Sequence, residues 1–173
     1  MNSRPAARRL LGAVCLGGLI FAAAAFWAAT VHAQAPSFAR VTRVVDGDTV
    51  WLRTPERARI KARLHGIDAP ESCQVGGQQA SDWLRQRIDQ RVVSVTWKGR
   101  DSYGRALVRL ALDGRDLGAD MVAQGWAWSY GWREQRSGYE GLQAEAQRAR
   151  RGVFALGHAQ RPRDFRRQHG PCR

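Results

Sequence analysis

The stretch Arg-Leu-His-Gly-Ile-Asp-Ala-Pro-Glu, residues 63–71, marks the point where a strand ends and a loop begins. In the run that leads into it, residues 57–64, apolar and cationic side chains alternate, so the apolar ones share one face and the cationic ones share the other. A glycine breaks this run, and a proline removes a backbone donor and restricts the residue before it. The sequence therefore predicts a strand with a basic face, followed by a loop that carries Asp68 and Glu71.

Turn signals and β-rich runs on both sides of this strand predict a small barrel. Asp-Gly between two β-rich runs is a strong hairpin signal, and Asp46 and Asp48 could serve there as turn residues only. The predicted strands are residues 38–45, 49–53, 57–66, 92–97 and 106–112, and the predicted helices begin near residues 77, 117 and 139. This order predicts an α+β fold that is mostly β: a five-stranded OB-type barrel with about three helices.

The chain divides into three predicted parts. In residues 1–33 three arginines, at positions 4, 8 and 9, precede an uncharged apolar run, residues 10–31, which indicates a signal peptide or an N-terminal membrane anchor. Residues 34–157 form the predicted barrel domain, and residues 158–173 a basic tail that we expect to be irregular. Positively charged residues that precede an apolar run stay on the cytoplasmic side of the membrane. The domain that follows the run is therefore expected to be exported. It would be periplasmic or secreted after cleavage, or otherwise anchored to the inner membrane.

The charge balance points to an anionic partner. The hydrophobic and charged fractions, 44% and 25%, are typical of a folded soluble protein, but 28 Lys and Arg face only 15 Asp and Glu, a net charge of +13. Such an excess favours a polyanion, because each phosphate contact releases counterions. A basic surface set by genomic composition is the alternative.

Two cysteines remain when residues 1–33 are set aside, Cys73 and Cys172. An even count in an oxidising compartment predicts one disulfide, which would pin the tail beside the loop after Glu71. Closing so long a loop would contribute on the order of 4 kcal/mol in the loop-entropy model. Two free thiols are the alternative.

Three motifs occur in a fixed order, in residues 44–50, 63–71 and 101–105: Val-Val-Asp-Gly-Asp-Thr-Val, then Arg-Leu-His-Gly-Ile-Asp-Ala-Pro-Glu, then Asp-Ser-Tyr-Gly-Arg. Each motif alone is a weak signal. Together they resemble the staphylococcal nuclease family over about residues 41–154. The resemblance implies a five-stranded barrel with three helices and a calcium-dependent nuclease that cleaves phosphodiester bonds of DNA and RNA and leaves 3′-phosphate ends.

The resemblance also implies roles for individual residues. The implied Ca²⁺ ligands are Asp48, Asp68 and the backbone carbonyl of Ala69, with Asp46 behind them; the implied catalytic residues are Arg63, Glu71 and Arg105; the substrate-binding candidates are Tyr103 and Tyr130. Ca²⁺ prefers hard oxygen ligands, and guanidinium groups pair with charge that develops on a phosphate. Glu71 would activate or orient the attacking water.

A different class of function stays open, a non-catalytic OB-barrel module that binds nucleic acid or a protein partner outside the cytoplasm. Taken singly, Arg63 could solvate the strand face, and Asp101 and Arg105 could form a surface ion pair. The complete set favours the enzyme, because carboxylates in a phosphate-binding groove would only weaken simple binding. The expected partners are DNA and RNA, with a membrane only if the N-terminal segment is uncleaved, and the chain is expected to be a monomer.

Overall fold

The computed structural model of the chain describes residues 37–131, 136–157, 159–170 and Cys172. The predicted signal peptide or anchor, residues 1–33, lies outside the described residues. Among those that are described, no helix is long and apolar enough to cross a membrane.

Strands and helices follow one another in the predicted order, with short additions. The strands are β1 (Ser37–Val44), β2 (Thr49–Arg53), β3 (Arg59–Leu64), β4 (Ile67–Asp68), β5 (Val92–Arg100), β6 (Ala106–Leu112), β7 (Arg115–Asp116) and β8 (Trp128–Ser129). The helices are α1 (Gly77–Ile88), α2 (Leu117–Ala123), α3 (Glu140–Arg148) and α4 (Pro162–His169), with a short 3-10 helix at Gly152–Ala155.

Five of the strands close into a barrel. Neighbours run β3-β2-β1-β5-β6, and β3 also pairs with β6 to complete the ring. The pairs are antiparallel except β3 with β6, which run parallel with Arg63 opposite Leu107. The short strands β4 and β8 pair in a separate two-stranded sheet. The predicted five-stranded OB-type barrel is confirmed, and the described part of the chain adds a fourth α-helix to the expected three.

The barrel interior is apolar, as the alternation in β3 predicts. Ala62 and Leu64 are buried while Arg59 and Lys61 are exposed. Leu84, on the buried side of α1, is fully buried in the same core. Burying a side chain of that size stabilises the fold by about 1.5–3 kcal/mol. This core gives the ends of β2 and β3 a fixed relative position.

Some local predictions differ from the structure. β3 begins at Arg59 rather than at residue 57, because Arg57 takes a left-handed φ of 66° in the preceding turn. The helix expected over residues 139–153 is interrupted, because Arg150 and Gly152 have positive φ values of 48° and 53°. The tail is not irregular throughout: Pro162, whose fixed φ suits the first turn of a helix, begins α4.

Candidate active site

One guanidinium group joins two buried carboxylates near the ends of β2 and β3. Arg63 donates from Nη1 to Asp48 Oδ1 at 2.8 Å and from Nη2 to Asp68 Oδ1 at 2.6 Å. Asp48 and Asp68 are only 3% and 2% exposed. A buried carboxylate is costly unless it is paired, and charge-assisted hydrogen bonds offset much of that cost. The fold thus holds two acidic side chains, one from the turn before β2 and one from β4, within reach of one cation.

The hairpin between β1 and β2 fixes Asp48. Its backbone N–H donates to Asp46 Oδ1 at 3.0 Å, and its own Oδ2 accepts the backbone N–H of Ala69 at 3.1 Å. Gly47 is needed between the two aspartates, because a Cβ there would lie 2.6 Å from the Cβ of Ala69. Asp46 therefore acts as a turn residue in this hairpin, whereas the Asp48 carboxylate is directed at Arg63.

Asp68 is placed by the short strand β4, which the sequence pattern did not reveal. Asp68 pairs with Trp128 of β8, and the backbone N–H of Tyr130 donates to the carbonyl of Gly66 at 2.9 Å. The half-buried Tyr130 thus follows a strand that borders the predicted metal ligand. Its role as a stacking residue remains a prediction.

A second arginine reaches the site from α4. Arg166 donates from Nη1 and Nη2 to Asp68 Oδ1 and Oδ2 at 3.2 and 3.1 Å, and from Nη1 to Glu71 Oε1 at 2.6 Å. Arg166 lies 95 residues after Glu71, so no local motif links the two. The only signal in the sequence is indirect: the tail is rich in arginine, and Cys172 was predicted to pair beside this loop. Sequence reasoning missed Arg166.

The predicted disulfide is present. Cys73 and Cys172 are joined with a Cα–Cα distance of 5.7 Å. The buried Gln74 adds a second link, because its side-chain amide donates to the carbonyl of Gln160 at 2.7 Å while its Oε1 accepts the backbone N–H of Glu71 at 3.2 Å. The segments on both sides of α4 are therefore linked to the loop that carries Glu71.

The electrostatics of the site favour additional positive charge. Burial, and after it the charge of Asp48, raises the pKa of Asp46 from 3.8 to about 6. Burial and Asp48 also raise the pKa of Asp68, against the opposing effect of Arg63 and Arg166. Burial lowers the pKa of Arg63, but the charges of the two aspartates outweigh it and raise the pKa above its usual value. Arg63 is therefore permanently charged, and the carboxylates still outnumber the guanidinium groups.

Arg105 and Tyr103 lie in the loop before β6. Arg105 Nε donates to Asp101 Oδ2 at 2.7 Å, so the ion pair weighed as an alternative is formed, and the guanidinium lies 5.5 Å from the ring of Tyr103. Tyr103 is 84% exposed. In the part of the chain that the structure describes, Arg105 forms no ion pair with a site carboxylate. The roles predicted for Arg105 and Tyr103 remain predictions.

The donor set fits a hard cation. Two carboxylates, those of Asp48 and Asp68, already converge on one positive group, the guanidinium of Arg63. Carboxylate oxygens are the ligands that Ca²⁺ prefers. Among the described residues there is no group of three or more His, Cys, Asp or Glu side chains that could hold a metal ion. Two carboxylates would therefore need a backbone oxygen such as that of Ala69, together with water or substrate, to complete a coordination sphere.

A basic outer face runs along β1, β2 and β3 to Arg63. Side chains two residues apart share a face of a strand, and an irregularity in β1 between Val41 and Arg43 brings Arg43 onto the face of Arg40. The cross-strand rows are Arg40, Arg53 and Arg59, then Arg43, Trp51 and Lys61, then Thr49 and Arg63. Like charges placed opposite one another destabilise a sheet. An anionic ligand on this face would relieve that repulsion.

Comparison with known proteins links this site to one group of enzymes. A family model described as staphylococcal nuclease homologue matches residues 61–155. An uncharacterized endonuclease of Haemophilus influenzae is 35% identical over 129 residues, which cover 75% of this chain and 72% of that protein. The micrococcal nuclease of Shigella flexneri is 36% identical over 158 residues, which cover 84% of this chain and 90% of that protein. Arg63, Asp68 and Glu71 lie inside the segment matched by the family model, whereas α4 lies beyond it.

Proposed function

The chain belongs to the staphylococcal nuclease family, and on that premise we propose that it is a calcium-dependent nuclease that hydrolyses phosphodiester bonds of DNA and RNA to give 3′-phosphate ends. The observation that carries the proposal is the convergence of Asp48, Asp68 and Arg63, with Glu71 linked to Asp68 through Arg166. Nuclease chemistry needs carboxylates for a metal ion and guanidinium groups for a phosphate, and this site supplies both.

Asp48, Asp68 and the backbone carbonyl of Ala69 would hold the Ca²⁺ ion. When bound, the ion would act as a Lewis acid toward a phosphate oxygen. Asp46 would keep the Asp48 turn in place through the hydrogen bond that its carboxylate accepts. Because both aspartates bind guanidinium groups, a metal ion would have to displace a guanidinium from an oxygen or bind beside that positive charge.

The remaining roles fall to side chains around these carboxylates. Arg63 and Arg105 would pair with negative charge as it builds on the phosphate, and a planar five-donor guanidinium suits that task. Glu71 would take a proton from the attacking water or orient it, and at 24% side-chain exposure it remains accessible to water. Tyr103 and Tyr130 would contact the nucleotide, because aromatic rings stack on bases of any sequence.

The proposed setting is outside the cytoplasm, periplasmic or secreted, or anchored to the inner membrane by residues 10–31. The disulfide between Cys73 and Cys172 supports an oxidising compartment, since such bonds are rare in the cytosol. We propose that the protein acts as a monomer on DNA and RNA. The basic outer face, rich in exposed arginine, supports a polyanionic substrate.

The testing experiment is digestion of plasmid DNA, single-stranded DNA and RNA by the purified protein, with Ca²⁺ and with a chelator. Glu71→Gln and Arg105→Ala are each expected to slow cleavage by about 100-fold or more while the barrel stays folded. Glu56→Gln and Arg148→Ala are matched controls, because both residues are exposed and lie outside the site. End analysis of the products checks for 3′-phosphates. Binding without cleavage under any divalent ion would instead support the non-catalytic module.

A further inference from the structure

The C-terminal helix α4 places a permanent positive charge on the carboxylates that a metal ion and an attacking water would use. Arg166 holds both oxygens of Asp68 and one oxygen of Glu71, at distances of 2.6 to 3.2 Å. This contact is separate from the one made by Arg63, which comes from the barrel wall. Asp68 therefore meets two guanidinium groups, of which only one belongs to the barrel.

The hydrogen bonds at Asp68 leave little room for a further ligand. A carboxylate offers about four lone-pair directions. Oδ1 accepts from Arg63 Nη2 and Arg166 Nη1, and Oδ2 accepts from Arg166 Nη2. Three of the four directions are therefore used, two of them by Arg166. A divalent cation would have to displace Arg166 from at least one oxygen or bind next to two like charges.

Several contacts hold α4 in this position independently of Arg166. The disulfide joins Cys172, six residues after Arg166, to Cys73, two residues after Glu71. At the amino-terminal end of the helix Pro162 is buried, and the carbonyl of Gln160 accepts a hydrogen bond from the side chain of Gln74. These links keep the guanidinium close to the carboxylates, so its effective concentration there is high. Removing the Arg166 charge is therefore not expected to release α4.

We propose that Arg166, which also bonds to Glu71, is an internal competitor for the divalent cation at Asp68, kept in place by the Cys73–Cys172 disulfide, and that it thereby sets the metal affinity of the site. The inference rests on the proposed function, since it concerns the metal site assigned there. The affinity of a site that is open for only a fraction of the time falls by that fraction. Arg166 keeps the site mostly closed, and the metal ion opens it by displacing the guanidinium.

The test is a Ca²⁺ titration of the full chain, purified in mild detergent, against a fluorescent chelator without nucleic acid. Arg166→Gln is expected to bind Ca²⁺ about tenfold more tightly than the unaltered protein. Arg163→Gln removes an equal charge from an exposed position of the same helix and is expected to change the affinity less than about twofold. An equal affinity in Arg166→Gln and the unaltered protein would overturn the inference. A weaker affinity in Arg166→Gln would overturn it as well, by making Arg166 a helper of metal binding.

A second comparison tests whether the disulfide keeps Arg166 at the site. Replacing both Cys73 and Cys172 by Ser is expected to tighten Ca²⁺ binding in the unaltered background but to have little further effect when Arg166 is Gln. Equal effects of the cysteine replacement in both backgrounds would refute the claim that the disulfide acts by holding Arg166 at Asp68. If no variant binds Ca²⁺ and cleavage continues in chelator, the proposed metal dependence fails together with the inference. If all variants bind equally and cleavage needs Ca²⁺, the inference alone fails.

Discussion

Replacing Arg63 by Gln removes the cation between two buried carboxylates and should cost more stability than any other single arginine replacement on the basic strand. Arg63 is 14% exposed in its side chain and bonds to Asp48 and Asp68 at 2.8 and 2.6 Å. Glutamine keeps a similar length but supplies neither the charge nor the second donor arm. Asp68 retains Arg166, so Asp48 loses its only ion-pair partner among the described residues.

The expected magnitude follows from the burial of the two carboxylates. Removing one partner of a buried ion pair typically costs about 3–5 kcal/mol, because the other charge stays buried and unpaired. Asp48 keeps hydrogen bonds from the Thr49 hydroxyl and the Ala69 N–H, which favours the lower end, about 3 kcal/mol. For a domain of this size that corresponds to a fall in Tm of about 10 °C. Lys61→Gln, two residues earlier on the exposed face, should stay within about 0.5 kcal/mol.

Urea unfolding of both variants and the unaltered protein, in chelator and between pH 8 and pH 4, measures the effect. Arg63 lowers the pKa of Asp68, so its removal raises that pKa further in the folded state. A carboxyl whose pKa is raised on folding destabilises the folded state at high pH, and that penalty disappears as the carboxyl becomes protonated. The difference between Arg63→Gln and the unaltered protein should therefore shrink as the pH falls. A loss below about 1 kcal/mol at pH 7, or one independent of pH, would refute this account of the site.

Two further changes test how the loops are held. Gly77→Ala should lower the free energy of unfolding by about 1–3 kcal/mol and impair cleavage, because a Cβ at residue 77 would lie 1.8 Å from the carbonyl oxygen of Glu71. Gly141→Ala is the control: it has open space around it and should be neutral or stabilising in the same unfolding and cleavage assays. Burial raises the pKa of Asp101, but hydrogen bonds from Arg105 and from the N–H of Tyr103 outweigh it, and the pKa is lowered. Asp101→Asn should therefore cost about 1 kcal/mol at pH 7, and the cost should fade as the pH drops below about 4; a constant difference in thermal unfolding over that range would contradict it.

The fold was predictable because its signals are local. Alternation in β3 assigns each side chain to one face, and Asp-Gly between two β-rich runs marks the turn before β2. The boundaries that were missed depend on single backbone conformations, such as the left-handed φ of Arg57 and Arg150. A hydrophobic pattern does not report those values.

The site was only partly predictable, because part of it is assembled over long distances in sequence. The sequence predicted Arg63, Asp68 and Glu71 within nine residues of one another, and the structure brings Asp48 to them through the pairing of β2 with β3. Arg166 could not be identified in this way, since the tail holds several arginines and no pattern selects one. The disulfide places the C-terminal segment beside the loop that carries Glu71. Only the geometry of α4 shows that Arg166 is the arginine that reaches the carboxylates.

The buried carboxylates of Asp48 and Asp68 must be paired with positive charge. The two guanidinium groups that pair with them differ in how easily each can be displaced. Arg63 is 14% exposed in its side chain and bonds two buried carboxylates, so moving its guanidinium away would leave Asp48 with no ion-pair partner among the described residues. Arg166 is 34% exposed in its side chain and sits on a helix outside the barrel, so it can leave Asp68 while the core stays intact. An arriving divalent ion would displace the cation whose departure costs least. By that measure the displaced cation is Arg166, while Arg63 stays bonded to Asp48 and Asp68.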